Sequence, residues 1–109
     1  MQVGLDKNRT NENFHIAFRE LKDKLNLSLG HISIKTGLSK AFLSDIMNNK
    51  VLAPKDEFIE RIAVVFGVEP DYFFEYRLRR LTEFIRENRD FLDEYMERKL
   101  EYEKSDEKK

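Results

Sequence analysis

Apolar residues recur at helical spacing along most of this chain, and no stretch alternates with period two for long enough to make a strand. From Phe14 they run Phe14, Ala17, Phe18, Leu21 and Leu25, the i, i+3, i+4, i+7 stripe of an amphipathic helix. Asn11 or Asn13 is placed to cap it. Only four glycines and two prolines interrupt the chain, so breakers are scarce and no phosphate-cradling glycine loop can be built. The fold class this predicts is all-α.

The breakers and caps divide the pattern. Ser28 heads a short second helix, about 29–35, and Gly37 sits just past its end, where a left-handed residue closes a helix. Ser39 heads a third, 40–48, followed by Asn49, the next-best left-handed cap. Residues 50–55 read as a loop. A fourth helix carries Phe58, Ile59, Ile62, Ala63 and Phe66, and Gly67 stops it. Pro70 suits a helix first turn, and from there to about Tyr102 nothing breaks the pattern. Tyr72-Phe73-Phe74 reads as core packing at the start of that helix rather than as an aromatic platform. Residues 1–11 and 104–109 read as flexible ends.

The chain has 109 residues, 40% hydrophobic and 38% charged, which fits one small domain with an appended helical segment. It is too apolar for a disordered chain and lacks the roughly 18-residue apolar run of a membrane span. The N-terminus shows no signal-peptide pattern, so the expected location is cytoplasmic, with no membrane partner. With no cysteine there is no disulfide, thiolate metal site or cysteine nucleophile. His15 and His31 lie at no metal-ligand spacing, and acid pairs such as Asp93-Glu94 point apart on a helix. Neither a metal, a cofactor nor catalysis is expected. The net charge is −1, but it is unevenly spread: residues 1–50 carry eight Lys/Arg against five Asp/Glu, and residues 51–109 twelve against sixteen. A mildly basic front half and an acidic rear half suggest two jobs.

Two short helices joined through Thr36-Gly37-Leu38 make a helix-turn-helix, whose second helix lies in the DNA major groove. The third helix has the required two faces. Leu43 and Ile46 point one way with Phe42 at their flank, while Lys40, Ala41, Ser44, Asp45 and Asn48 point the other way and can reach base edges. The run Lys35-Thr36-Gly37-Leu38-Ser39-Lys40-Ala41-Phe42-Leu43-Ser44-Asp45-Ile46 resembles the Cro and phage-repressor type (XRE-like) family. So does its spacing to Asn49-Lys50, Pro54 and Val68-Glu69-Pro70-Asp71-Tyr72-Phe73.

The resemblance implies a five-helix DNA-binding domain over residues 12–75, in a family made up mostly of bacterial and phage transcription regulators. It implies base contacts by Lys40, Ala41 and Asp45, and backbone contacts by Ser39, Ser44 and Lys50. Ser28, heading the second helix, belongs to the same DNA-binding set, as does Asn48. The sequence departs from the family pattern at Leu29, often Gln, at Met47, commonly Glu, and at Val51-Leu52-Ala53, often basic. These changes remove phosphate contacts, so weaker binding per monomer is expected. Asp45 reads two ways, as a base contact or as an intrahelical partner of Lys40 or Lys50. Ile34, Val51 and Leu52 look exposed and could form a small partner surface.

In residues 76–103 a second pattern appears. Leu78, Leu81, Ile85, Asn88, Leu92, Tyr95, Lys99 and Tyr102 follow heptad spacing, with Phe84, Phe91 and Met96 beside them. So wide a stripe needs a partner. A second copy of the chain is the simplest one, with Leu78, Leu81, Ile85, Leu92 and Tyr95 as the dimerisation residues. Asn88-Arg89-Asp90 could instead break the helix into a hairpin. The function expected is a sequence-specific regulator of transcription. It binds double-stranded DNA as a homodimer, on an inverted repeat with half-sites about 34 Å apart. The alternative is a protein-interaction module on the same fold, an antitoxin or scaffold.

Overall fold

The computed structural model describes residues 9–107, with side chains through residue 103. Flexible ends expected at residues 1–8 and 108–109 lie outside the described residues. Among the described residues the chain is all-helical, with no strand. It divides into two compact units, one ending at Leu78 and the other beginning at Arg79.

Helix α1 (Phe14–Lys24) buries Phe14, Ala17, Phe18 and Leu21, the expected stripe. Asn13 precedes it in extended conformation but makes no side-chain cap bond. The open Phe14 N–H instead donates to the Glu75 carboxylate at 2.9 Å, from far along the chain. Leu25, expected on the buried stripe, is 42% exposed. The helix ends first: Asn26 turns left-handed (φ 56°), and Leu27 packs against the core in its place.

Helices α2 (Leu29–Thr36) and α3 (Lys40–Met47) start at their serines. Ser28 accepts from the His31 N–H at 3.0 Å, and Ser39 from the Phe42 N–H at 3.1 Å. Gly37 (φ 79°) closes α2, and Asn49 (φ 58°) follows the end of α3. Helix α4 (Asp56–Phe66) sets Asp56 and Glu57 in its first turn, where carboxylates complement the helix dipole. Packing of α1 on α3, and of α2 on both α3 and α4, closes one core. Its aromatic centre joins Phe14 to Phe73 at 4.6 Å and Phe18 to Phe66 at 5.3 Å.

The unbroken helix expected from Pro70 to about Tyr102 is three pieces. A 3-10 turn (Pro70–Tyr72) ends at Phe73, whose extended backbone (ψ 133°) accompanies a side chain that is fully buried against Phe14. Burying that ring outweighs helical continuity. Tyr72, beside it, is half-buried; burial, with the Glu20 carboxylate adding, pushes its phenol above the usual range. Helices α5 (Phe74–Glu87) and α6 (Arg89–Glu107) then meet at Asn88. The Asn88 side-chain amide donates to the Phe84 carbonyl at 2.9 Å, and the Asn88 carbonyl accepts from the Phe91 N–H at 3.0 Å. A side chain that competes for backbone partners ends one helix and starts the next. The hairpin alternative does not hold, because α5 and α6 share no side-by-side packing. Helix α6 also continues through residues 104–107, which were expected to be flexible.

Residues 9–11, also expected to be flexible, are fastened. Arg9 pairs with Asp71 at 3.0 Å, and the Thr10 N–H donates to the Tyr72 carbonyl at 2.9 Å. The Arg77 guanidinium donates to the carbonyls of Thr10, Asp71 and Tyr72 and to the Asn11 side chain, at 2.8–3.0 Å. Tyr76 packs against the core and donates to Glu60 at 2.9 Å. Residues 76 and 77, past the expected boundary at 75, thus bond within the first compact unit, which ends at Leu78.

In the second unit no residue from 79 to 103 is buried. Leu81, Phe84, Phe91, Leu92, Tyr95, Met96 and Leu100 are exposed, as is Leu78 just before it, and Ile85 is half-buried. Phe84 and Phe91 meet edge to face at 5.3 Å across the Asn88 break. Arg80–Glu83 and Lys99–Glu103 pair along the helical surface at 2.9 and 3.3 Å.

Candidate nucleic-acid interface

The connection between α2 and α3 is held from inside. Thr36 is buried; its hydroxyl donates to the Ile32 carbonyl at 2.7 Å and accepts from the Leu38 N–H at 3.1 Å. The Ser33 hydroxyl donates to the Leu38 carbonyl at 2.6 Å, and Arg61 on α4 donates to the Thr36 carbonyl at 3.3 Å. Leu38 itself is buried. The two short helices are thus fixed at their joint by side chains rather than by length. Thr36→Val keeps the shape but strands the Leu38 N–H, so it is expected to cost about 1–3 kcal/mol. Urea unfolding measures this; an unchanged midpoint would show that the hydroxyl is dispensable.

Helix α3 has one inner and one outer face. Leu43 and Ile46 are fully buried, and Phe42 lies half-buried with its ring 5.9 Å from Phe58. Lys40, Ala41 and Asn48 are exposed, while Ser44 and Asp45 are half-buried. Helical spacing puts these five on the outer side. Ser39 and Ser28 are exposed at the starts of α3 and α2, their oxygens already accepting cap bonds. Lys50 is exposed, and its N–H donates to the Asp45 carbonyl at 2.8 Å. Among the described residues neither Lys40 nor Lys50 ion-pairs with the Asp45 carboxylate. Intrahelical pairing, one of the two roles weighed for Asp45, is not present.

Sequence reasoning missed Arg19. From the exposed side of α1 its guanidinium reaches the end of α3, donating to the Met47 carbonyl at 3.2 Å and to the Asn48 side-chain oxygen at 3.0 Å. The Asn48 amide nitrogen in turn donates to the Ser44 hydroxyl at 3.3 Å. No local pattern announces a contact between residues 28 or 29 positions apart.

The expected exposure of Ile34, Val51 and Leu52 is observed, with Ile34 at 83% and Leu52 at 90%. Val64 on α4, at 79%, was missed. Among the described residues no group of His, Cys, Asp and Glu could hold a metal ion, and no helix is long and apolar enough to cross a membrane. Comparison with protein-family models, curated proteins and solved structures returns no match.

Proposed function

We propose that this chain is a sequence-specific DNA-binding regulator of transcription, acting in the cytoplasm as a homodimer. In this reading α2 and α3 form a helix-turn-helix of the Cro and phage-repressor type. The observation that carries it is α3 itself: Leu43 and Ile46 are sunk in the core while Lys40, Ala41 and Asn48 are exposed on the opposite side. A helix so anchored can enter a major groove without disturbing the fold. Lys40, Ala41 and Asp45 then face base edges. Ser28, Ser39, Ser44 and Lys50 face the sugar-phosphate backbone. Two copies joined through Leu78, Leu81, Ile85, Leu92 and Tyr95 would place recognition helices in successive grooves about 34 Å apart. Binding there occludes or recruits polymerase.

Selection from random double-stranded DNA tests this, with recovery of an inverted repeat expected. An empty selection at low salt would sink it. On the recovered site, Lys40→Ala is expected to weaken binding by about 1–3 kcal/mol, and steep salt dependence should accompany binding by the wild type. Asp45→Asn should raise affinity for random DNA, because it removes a carboxylate from beside the phosphates. It should also relax the preference at one base pair, where the carboxylate accepts from a cytosine amino group. A uniform change across all base substitutions would discard that role.

The exposed apolar residues Ile34, Leu52 and Val64 favour a second reading, a protein-interaction module on the same scaffold. An empty DNA selection, together with a protein partner whose capture is lost in Leu52→Asp, would favour it.

A further inference from the structure

We infer that Arg19 determines which base Asn48 reads, by locking the Asn48 amide in one of its two orientations. The inference rests on the DNA-binding reading above. A guanidinium carries donors only. Its Nη2 lies 3.0 Å from the Asn48 side-chain oxygen and 3.2 Å from the Met47 carbonyl. Turning the amide over would set its NH2 against the guanidinium, donor against donor, and would withdraw the N–H now bonded to Ser44 at 3.3 Å. Arg19 therefore selects a single orientation, and the Ser44 hydroxyl, able to accept or donate, accommodates it. Arg19 has no carboxylate partner among the described residues, so nothing draws it away.

The consequence lies in what remains to face DNA. A free asparagine recognises adenine with both ends of its amide, accepting from N6 and donating to N7. Here the oxygen is turned to Arg19. The second N–H of the exposed Asn48 amide has no partner among the described residues. Beside it stands the Ser44 hydroxyl, whose oxygen is occupied by Asn48 and whose proton is free to donate. With each of these oxygens already accepting one bond, this corner of α3 offers donors foremost. Donors match the N7 and O6 acceptors of guanine, and they reject the amino groups of adenine and cytosine. Arg19 touches no base in this arrangement; it is a positioning residue.

The test uses the full chain and duplexes carrying every base pair at each position of the selected half-site. The wild type is expected to prefer guanine over adenine about three- to tenfold at one position. Arg19→Met frees the amide and should move that position towards adenine while preferences elsewhere stay put. Arg19→Lys keeps a donor and should retain guanine. Ser44→Ala leaves Arg19 in place and should also retain it. Asn48→Ala should abolish the preference at the same position, and adding Arg19→Met to it should change nothing more. A uniform loss over all duplexes in Arg19→Met would overturn the inference, making Arg19 a plain structural or phosphate contact. So would a shift at a position that Asn48→Ala leaves untouched. Either result leaves the DNA-binding reading standing, whereas wild-type protein that selects no DNA brings down both.

Discussion

Cutting the chain after Leu78 is expected to leave a folded monomer that has lost about 10²–10⁴ of its affinity for a two-half-site operator. The first half of that expectation follows from packing. All the buried hydrophobic side chains lie between Phe14 and Phe73, so the cut removes none of them. It also spares the Arg77 bonds to Thr10, Asn11, Asp71 and Tyr72, which a cut before residue 77 would sever. The second half follows from exposure. Residues 79–103 include no buried side chain, yet carry Leu81, Phe84, Phe91, Leu92 and Tyr95 in the open. Helices gain most of their stability from packing an amphipathic face, so these need a partner to stay folded. In the proposed homodimer a second copy would supply one. Losing it turns bivalent binding into two weak independent events. Light scattering on the intact chain checks the premise, and a monomer there would refute it. Charged substitution at Ile85 or Leu92 probes the same contact without removing any residue.

Phe18→Ala is expected to cost about 3–5 kcal/mol, the most of any single substitution considered. Phe18 is fully buried, and its ring meets those of Phe14 at 6.1 Å and Phe66 at 5.3 Å. The cavity would open where α1 and α4 meet, and neighbouring aromatic rings are too rigid to fill it. Since domains of this size are stable by only about 5–15 kcal/mol, the variant should be close to unfolding at growth temperature. Leu25→Ala is the control. On spacing alone Leu25 belongs with Phe18, but it is exposed, and its loss should move the thermal midpoint little. Equal effects from the two would contradict the packing described here.

Legibility in the sequence followed the range of the forces involved. Ser28, Gly37, Ser39 and Gly67 act within one turn of themselves, and the helix ends they mark were readable within a residue or so. The inner face of α3 was readable for the same reason, since Leu43 and Ile46 are a helical turn apart. What escaped depends on distant neighbours. Phe73 leaves the helix because Phe14 is there to receive its ring. Arg19 serves α3 through a contact that no window of sequence contains. Asn88 is intermediate: its power to break a helix was visible, but whether the chain then folds back was not.

The carboxylate of Glu75 caps α1 across 61 residues, and Arg77 grips Thr10 across 67. The first unit is in effect a loop fastened at its clasp, with residues 10–14 brought to residues 75–77. A permuted chain that links residue 9 to residue 78 and opens at the Val51-Leu52 loop keeps every one of these bonds. On the ribosome the same clasp imposes an order. α1 is made before α5, and its leading N–H lacks the Glu75 carboxylate until that residue has emerged. Helix α3 is therefore synthesised well before the unit that must hold it can close.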